Sequence, residues 1–361
     1  MKIRHLQAEN FRNFENLDLT FSQDFIILIG PNASGKTNIL ESVYYTSMLQ
    51  AFPPGKSWEL IMKGKDYFRL IFDTSKGKLE YYYGRKSEKR YQRAQTVEGV
   101  RKRSLEMAGV LPCVAFLPQD LNLLQQGPAL RRDYLDDVLI QTEPDYERTL
   151  AELAKVIMQR NELLTTVREG KGGESELDFW DEKIVKLSKK IVQSRQDYIA
   201  FLNQGIQEFY QEISGELKDF RINYLISNRI TDPEDLASLL LQRRREDILF
   251  GRTSVGPHRD DWKVVGKDGQ NLAHFLSRGE QRSLIICLKL KELEYLQQAL
   301  QERPVVLLDE VLAELDSTRR RRLLERLPTG SQTFLTMTNA ETTPKSLLKQ
   351  AQVIELPLKQ P

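Results

Sequence analysis

The sequence predicts an α/β fold: a mixed-sheet lobe assembled from both ends of the chain, with a mostly helical second lobe inserted between them. Three observations carry this. The apolar run Phe25 to Ile29 leads into the glycine-bounded loop Gly30 to Thr37 and then into helical spacing, the order strand, loop, helix. A second apolar run, Val305 to Leu308, ends in Asp309-Glu310 and reads as another buried parallel-type strand. Between about residues 145 and 251 the apolar spacing turns helical. The expected domains are therefore 1–144 with 252–361, and 145–251; a chain of 361 residues is long enough for both.

Along the chain, the opening segments alternate apolar residues, as strands with one buried face do. From Arg69 to Tyr83, two alternating runs flank the turn-like Ser75-Lys76-Gly77, which predicts an antiparallel hairpin. In the inserted lobe, Ile184, Leu187, Ile191, Tyr198, Leu202, Ile206 and Phe209 line one helical face, and Lys171-Gly172-Gly173 splits the region. Phe220, Ile222, Tyr224 and Ile226 then alternate as a strand. Asp232-Pro233 has the cap-plus-proline form that starts a helix, which is expected to end at Gly251. The two long helices span at most about 40 residues each, roughly 60 Å, with glycines interrupting them. A long coiled-coil arm is excluded.

Composition narrows the function. No apolar run approaches about 18 residues and the first residues, MKIRHLQAENFRNF, lack an apolar leader core, so a soluble cytoplasmic protein is expected, with no membrane partner. Cys113 and Cys287 sit among apolar neighbours, as buried thiols do. His5, His258 and His274 are scattered without ligand-spaced partners, which argues against a transition-metal site. A net charge of +2 excludes a globally basic nucleic-acid binder but leaves room for a local basic face. Three clusters qualify: Arg85 to Arg103, Arg243 to Arg245, and Arg319 to Arg322, against the plainer reading of each as a solvated face.

Gly30-Pro31-Asn32-Ala33-Ser34-Gly35-Lys36-Thr37 fits G-x-x-x-x-G-K-[ST] in the structural setting that motif needs. Its glycines let backbone amides wrap a phosphate chain, the helix N-terminus adds its positive end, Lys36 reaches the terminal phosphates of ATP, and Thr37 ligates Mg2+. Asp309 is positioned to hold the metal, and Glu310 to act as general base on the attacking water. Just before this second element, Leu276-Ser277-Arg278-Gly279-Glu280-Gln281 opens another helix and offers a second anion-binding end, although a serine there is commonly a plain cap.

GPNASGKT, LSRGEQ and VVLLDE, in this order, resemble the Walker A, signature and Walker B motifs of ATP-binding-cassette (ABC-type) ATPases. Within that superfamily, AENFRNFENLDLTF, the segment Phe116 to Asp136 and Gly256-Pro257-His258-Arg259-Asp260-Asp261 closely resemble the RecF family. The resemblance implies a head like that of structural-maintenance-of-chromosomes (SMC) ATPases, with the helical lobe in place of long coiled coils. It implies that Gln119 senses magnesium and the attacking water, and that Arg12 lies near the nucleotide, against the equally weighted reading of a surface arginine beside a strand. It further implies that Ser277, Gly279 and Gln281 reach ATP on a partner subunit, with Asp316 on the loop crossing that interface, so that ATP assembles a homodimer. Cassette ATPases often carry a histidine after the strand following Walker B; here Thr333 to Asn339 offers hydroxyls and an amide, and Thr338 is the expected sensor. His258 reads as a turn or interface residue, since Glu310 already supplies a base.

The implied function is ATP-dependent binding of double-stranded and gapped DNA in recombinational repair and replication restart, with RecO and RecR, loading RecA, and with slow hydrolysis as the release step. Arg85, Lys86, Lys89, Arg90, Arg93, Arg101, Lys102 and Arg103 are the expected phosphate contacts, giving salt-sensitive, sequence-tolerant binding. Two other readings share the ATP motifs: the nucleotide-binding subunit of a transporter, which membrane components would stimulate, and a nuclease-linked head, which would need a further acidic metal cluster.

Overall fold

The structure, a computed structural model, describes residues 1–88, 90–107, 109–226, 235–339, 348 and 350–358. The chain divides into two compact units: Met1–Leu121 with Glu212–Ser214 and Arg282–Pro361, and Asn122–Gln211 with Gly215–Gln281.

The first unit holds two sheets. Strands β1 (Ile3–Phe11), β2 (Phe14–Thr20), β4 (Tyr67–Thr74), β5 (Gly77–Ser87), β6 (Arg90–Val97) and β7 (Val100–Lys102) form an antiparallel sheet in the order β2-β1-β4-β5-β6-β7. The β4–β5 pair is the hairpin that the alternation around Ser75-Lys76-Gly77 predicts. The other sheet is wholly parallel, in the order β13-β3-β12-β11-β8, from β3 (Phe25–Ile29), β8 (Cys113–Phe116), β11 (Val305–Leu308), β12 (Thr333–Met337) and β13 (Gln352–Glu355). Its β3, β8 and β11, covered on both faces, read as continuous apolar runs, whereas the edge strand β13 is partly exposed.

Helix α1 (Lys36–Met48) packs on β1 of one sheet and on β8 and β12 of the other. That double contact explains why almost every side of α1 is buried, including the polar Glu41, Ser42 and Thr46. The hydroxyls of Ser42 and Thr46 turn back to carbonyls three residues earlier, so burial costs them no hydrogen bond.

The second unit is a helical layer with a two-stranded sheet. It contains α2 (Pro128–Thr142), α3 (Tyr146–Arg168), α4 (Leu177–Asn203) and α6 (Leu236–Phe250), with β9 (Phe220–Leu225) antiparallel to β10 (Asp261–Gly266). Helices α5 (Ile206–Ser214) and α7 (Arg278–Leu300) have residues in both units. The residues expected on one helical face of α4, Ile184, Leu187, Ile191, Tyr198 and Leu202, are buried. Helix α6 ends where the sequence predicts, at Gly251 with φ 64°, while Asp232-Pro233 lies outside the described residues.

The unit borders at 122 and 281 enclose the expected 145 and 251, for a physical reason. Helix α2 packs on α3, α4 and β10, and Trp262 of β10 donates its indole N–H to the Arg131 carbonyl at 2.6 Å. The segment Gly256 to Asp261 is the polar hub of this unit. Buried Arg195 donates to the Pro257 carbonyl and, bidentate, to Asp136; Tyr224 donates to Asp260; Arg131 pairs bidentately with Asp261. These bonds, made at 2.6 to 3.0 Å, give that segment a scaffolding role that periodicity did not reveal.

Candidate nucleotide site

Strand β3 ends at Ile29 and the chain wraps through Gly30 to Gly35 before α1 begins. Gly35, at φ 100°, caps the helix without a side-chain bond, and the first turn of α1 carries no acid. A Cβ on Gly35 would strike the Phe14 ring, and one on Gly30 the Leu356 carbonyl, so both glycines are dictated by close approach. The helix therefore presents its free first-turn amides to an anion. The Ser34 hydroxyl, inside this loop, is buried and without a partner, a polar atom suited to a phosphate oxygen.

Lys36 is 3% exposed and donates to the Gly30 and Pro31 carbonyls at 2.8 and 3.0 Å, with the Glu310 carboxylate 3.5 Å away. Thr37 Oγ1 lies 3.0 Å from both oxygens of Asp309. The fold thus brings the phosphate loop onto the pair that ends β11. Asp309 is buried, and its backbone N–H donates to Phe116 on the neighbouring β8.

Burial pushes the Asp309 carboxyl above its usual range, although hydrogen bonds from Thr336 and Thr37 and the Lys36 charge oppose this. A buried carboxylate so penalised calls for a compact divalent cation, and Thr37 with Asp309 is the donor set that Mg2+ takes when phosphates and water complete its shell. Among the described residues, no group of three His, Cys, Asp or Glu side chains converges as a metal cage. Glu310 stands at φ 53°, a left-handed position costing a side chain roughly 1–2 kcal/mol. Its N–H donates to Thr336 Oγ1 at 2.8 Å.

Other expected residues fall elsewhere. Gln119, in the 3-10 turn Pro118–Asn122, donates to the Pro53 carbonyl at 3.0 Å and makes no hydrogen bond to Thr37 or Asp309. Arg12 is spent on a bidentate pair with Glu41 of α1, at 2.6 and 2.7 Å, and on the Glu59 carbonyl, so it braces the phosphate-loop helix. Thr338 is exposed, one residue past the end of β12; the hydroxyl that reaches the Asp309 carboxylate and accepts the Glu310 N–H is Thr336, buried within the strand two residues earlier.

In the second unit, Ser277 precedes α7 in a reciprocal box: its N–H donates to Glu280 at 2.7 Å, and the Glu280 N–H donates to its hydroxyl at 3.3 Å. Lys218 also pairs with Glu280, and with these bonds holds that carboxyl down at about 2 against the cost of burial. Ser277 is exposed and Gly279 half-buried, whereas Gln281 is buried with its amide donating to Ala273 and Leu276 carbonyls. Gln281 therefore shapes the turn from within. In the first unit, Asp316 caps α8 (Ser317–Arg326) through the N–H groups of Thr318 and Arg319.

The basic segment forms the β5–β6–β7 edge of the antiparallel sheet. Arg85, Lys86, Arg90, Arg93 and Arg101 are exposed and Lys102 half-buried, and among the described residues no carboxylate pairs with them; Arg103 pairs with Glu106, and Lys89 lies outside the described residues. Strand register sets Arg85 opposite Tyr91 and Arg93 opposite Tyr83, with Arg93 over the Tyr83 ring. The arginines of α8 are by contrast engaged. Arg319 binds Asp316 and Ser283, Arg320 the Leu312 and Leu315 carbonyls, and Arg322 the Ile213 carbonyl.

The RecF/RecN/SMC N-terminal domain family matches residues 2–355. The DNA replication and repair protein RecF of Thermoanaerobacter sp. (strain X514) is 37% identical over 351 residues, covering 94% of each chain. That of Moorella thermoacetica is 31% identical over 358 residues, covering 99% of this chain and 95% of the relative. Among solved structures, the recombination mediator protein RecF of the RecFOR pathway, in its RecF-ATPrS form, superposes with a TM-score of 0.86 at 31% identity over 95% of this chain and 94% of that one. An SMC head bound to the C-winged helix domain of ScpA shares the fold, with a TM-score of 0.55 at 15% identity over 99% of this chain and 95% of that one. No helix among the described residues is long and apolar enough to cross a membrane. With its ABC-type ATPase fold and with these relatives along nearly its whole length, the chain belongs to the RecF family of DNA replication and repair proteins.

Proposed function

We propose that this chain is an ATP-switched DNA-binding protein that closes as a homodimer on double-stranded DNA at single-strand gaps, and that hydrolysis releases it. The observation carrying the ATP half is the meeting of Lys36, Thr37, Asp309 and Glu310 in one partly buried site. Lys36 would meet the terminal phosphates, the first-turn amides of α1 and the Ser34 hydroxyl the oxygens between them, and Thr37 with Asp309 would hold Mg2+. The metal supplies Lewis-acid neutralisation of phosphate charge when bound. Glu310 takes the proton of the attacking water, and Lys36 steadies the charge that develops on the phosphate.

Ser277 and Gly279, at the exposed start of α7, are the groups offered to ATP held by a second copy of the chain. The uncompensated cations of β5–β7 supply phosphate contacts to DNA. The RecFOR pathway of its structural relative supports RecO and RecR as co-workers, and loading of RecA is the step proposed for the three together. The test is a gel-shift titration on gapped and blunt duplexes with and without ATP, beside ATP turnover with each DNA. Tighter, salt-sensitive binding of gapped duplex with ATP is expected. Binding indifferent to ATP, or turnover indifferent to DNA, overturns the reading.

A further inference from the structure

We infer that Thr336 is the positioning residue that aims both carboxylates of the nucleotide site, an inference that rests on the site reading above. Its hydroxyl has one proton and two lone pairs, and the geometry assigns them. The proton goes to Asp309 Oδ1 at 2.8 Å, and the oxygen accepts the Glu310 N–H at 2.8 Å. One side chain therefore orients the Asp309 carboxylate and anchors the Glu310 backbone.

The strand arrangement leaves this task to β12. Strand β11 runs parallel to β12 with Leu308 beside Leu335, so the next residue on β12 stands level with Asp309. Thr336 is 1% exposed, and it is a β-branched residue with few rotamers, so its hydroxyl is held where it stands. Thr37 Oγ1 is equidistant, at 3.0 Å, from the two oxygens of Asp309, so Thr37 does not by itself select one. Thr336 does, because it binds Oδ1 alone. Oδ2 is left as the freer oxygen, the one that would face a cation held by Asp309 and Thr37.

Glu310 adds the second half. At φ 53° its backbone would relax if the N–H lost its acceptor, and the side chain would leave the direction in which it faces Lys36. A valine at 336 keeps the shape and the β-branch but removes both bonds, whereas a serine keeps both bonds.

The experiment compares Thr336→Val, Thr336→Ser and Lys36→Ala with the wild-type chain. It measures equilibrium affinity for a fluorescent ATP analogue in EDTA and across a Mg2+ titration, kcat and KM for ATP, and the thermal midpoint. Thr336→Val is expected to keep the Mg2+-free affinity and the midpoint, to require more Mg2+ for tight binding, and to lose about ten- to a hundredfold in kcat with KM little changed. Thr336→Ser is expected to recover most of both. Wild-type Mg2+ dependence and kcat in Thr336→Val overturn the inference. So does Thr336→Ser as impaired as Thr336→Val, or a fall in midpoint and Mg2+-free affinity that tracks the loss, since a packing role alone would produce it. Lys36→Ala separates the two levels: if it loses nucleotide while Thr336→Val behaves as wild type, only the role of Thr336 fails. If Lys36→Ala binds nucleotide normally, the site reading falls and takes this inference with it.

Discussion

The Lys36 ammonium lies 3.5 Å from the Glu310 carboxylate, so the cation proposed for the terminal phosphates and the base proposed for the water face each other across one small space. Replacing Glu310 by Gln is expected to preserve ATP binding, because the phosphate loop is untouched, and to slow hydrolysis by about a hundredfold or more through loss of the base. The variant should accumulate as an ATP-bound dimer. Light scattering with ATP and single-turnover hydrolysis check both halves, and normal turnover would remove Glu310 from its assigned role.

Charge reversal at Arg85 and Arg93 is expected to weaken DNA binding and flatten its salt dependence more than reversal at Arg321 and Arg322. The first pair is exposed on the sheet edge without carboxylate partners, whereas Arg322 holds the Ile213 carbonyl and Arg321 approaches Glu325. Binding isotherms at several salt concentrations decide. Equal slopes for the two variants would count against the sheet edge as the DNA face.

Ser277→Arg is expected to leave ATP affinity intact and to block ATP-induced dimerisation. Ser277 belongs to the exposed end of α7, and a long cation there would fill the space before the helix amides while leaving Lys36 and Thr37 alone. Nucleotide titration and molecular mass, each with ATP, test the two parts. A variant that still dimerises defeats the composite site, and one that no longer binds ATP places the signature turn in its own subunit.

Acid should loosen the second unit through His258. Burial pushes its imidazole from the usual 6.5 down to about 4, helped by Arg259 and Arg132, although the Thr253 carbonyl and Asp247 oppose this. The unfolded chain takes up that proton below about pH 6.5 and the folded chain does not, so this contribution is complete above pH 6.5 and declines toward pH 4. Denaturant midpoints at stepped pH should fall over that window, and less steeply in His258→Gln. Identical pH profiles for the two proteins would show that His258 titrates normally.

Much of this was legible in the sequence where one chemical requirement dominates a short stretch. Phe25 to Ile29 and Val305 to Leu308 are apolar on both faces because both faces are buried, and Gly30 and Gly35 are glycines because neighbours leave no room for a Cβ. What escaped reading depends on partners distant in sequence. The pairing of Arg12 with Glu41 of α1, and the bonds from the Gln281 amide to the Ala273 and Leu276 carbonyls, are of this kind. Thr336 lies inside β12 and Thr338 just past its end at Met337, a strand boundary that the sequence does not state. The division at 122 and 281, rather than at 145 and 251, follows from the packing of α2 on α3, α4 and β10, contacts between segments far apart in sequence.

The left-handed backbone at Glu310 also sets two selective demands against each other. That conformation suits glycine or asparagine better than glutamate, so a screen for heat resistance alone would favour replacing the carboxylate. A screen for ATP turnover would restore it. On the role proposed for it, glutamate at 310 costs folding stability that only a test of catalysis would show to be worth keeping.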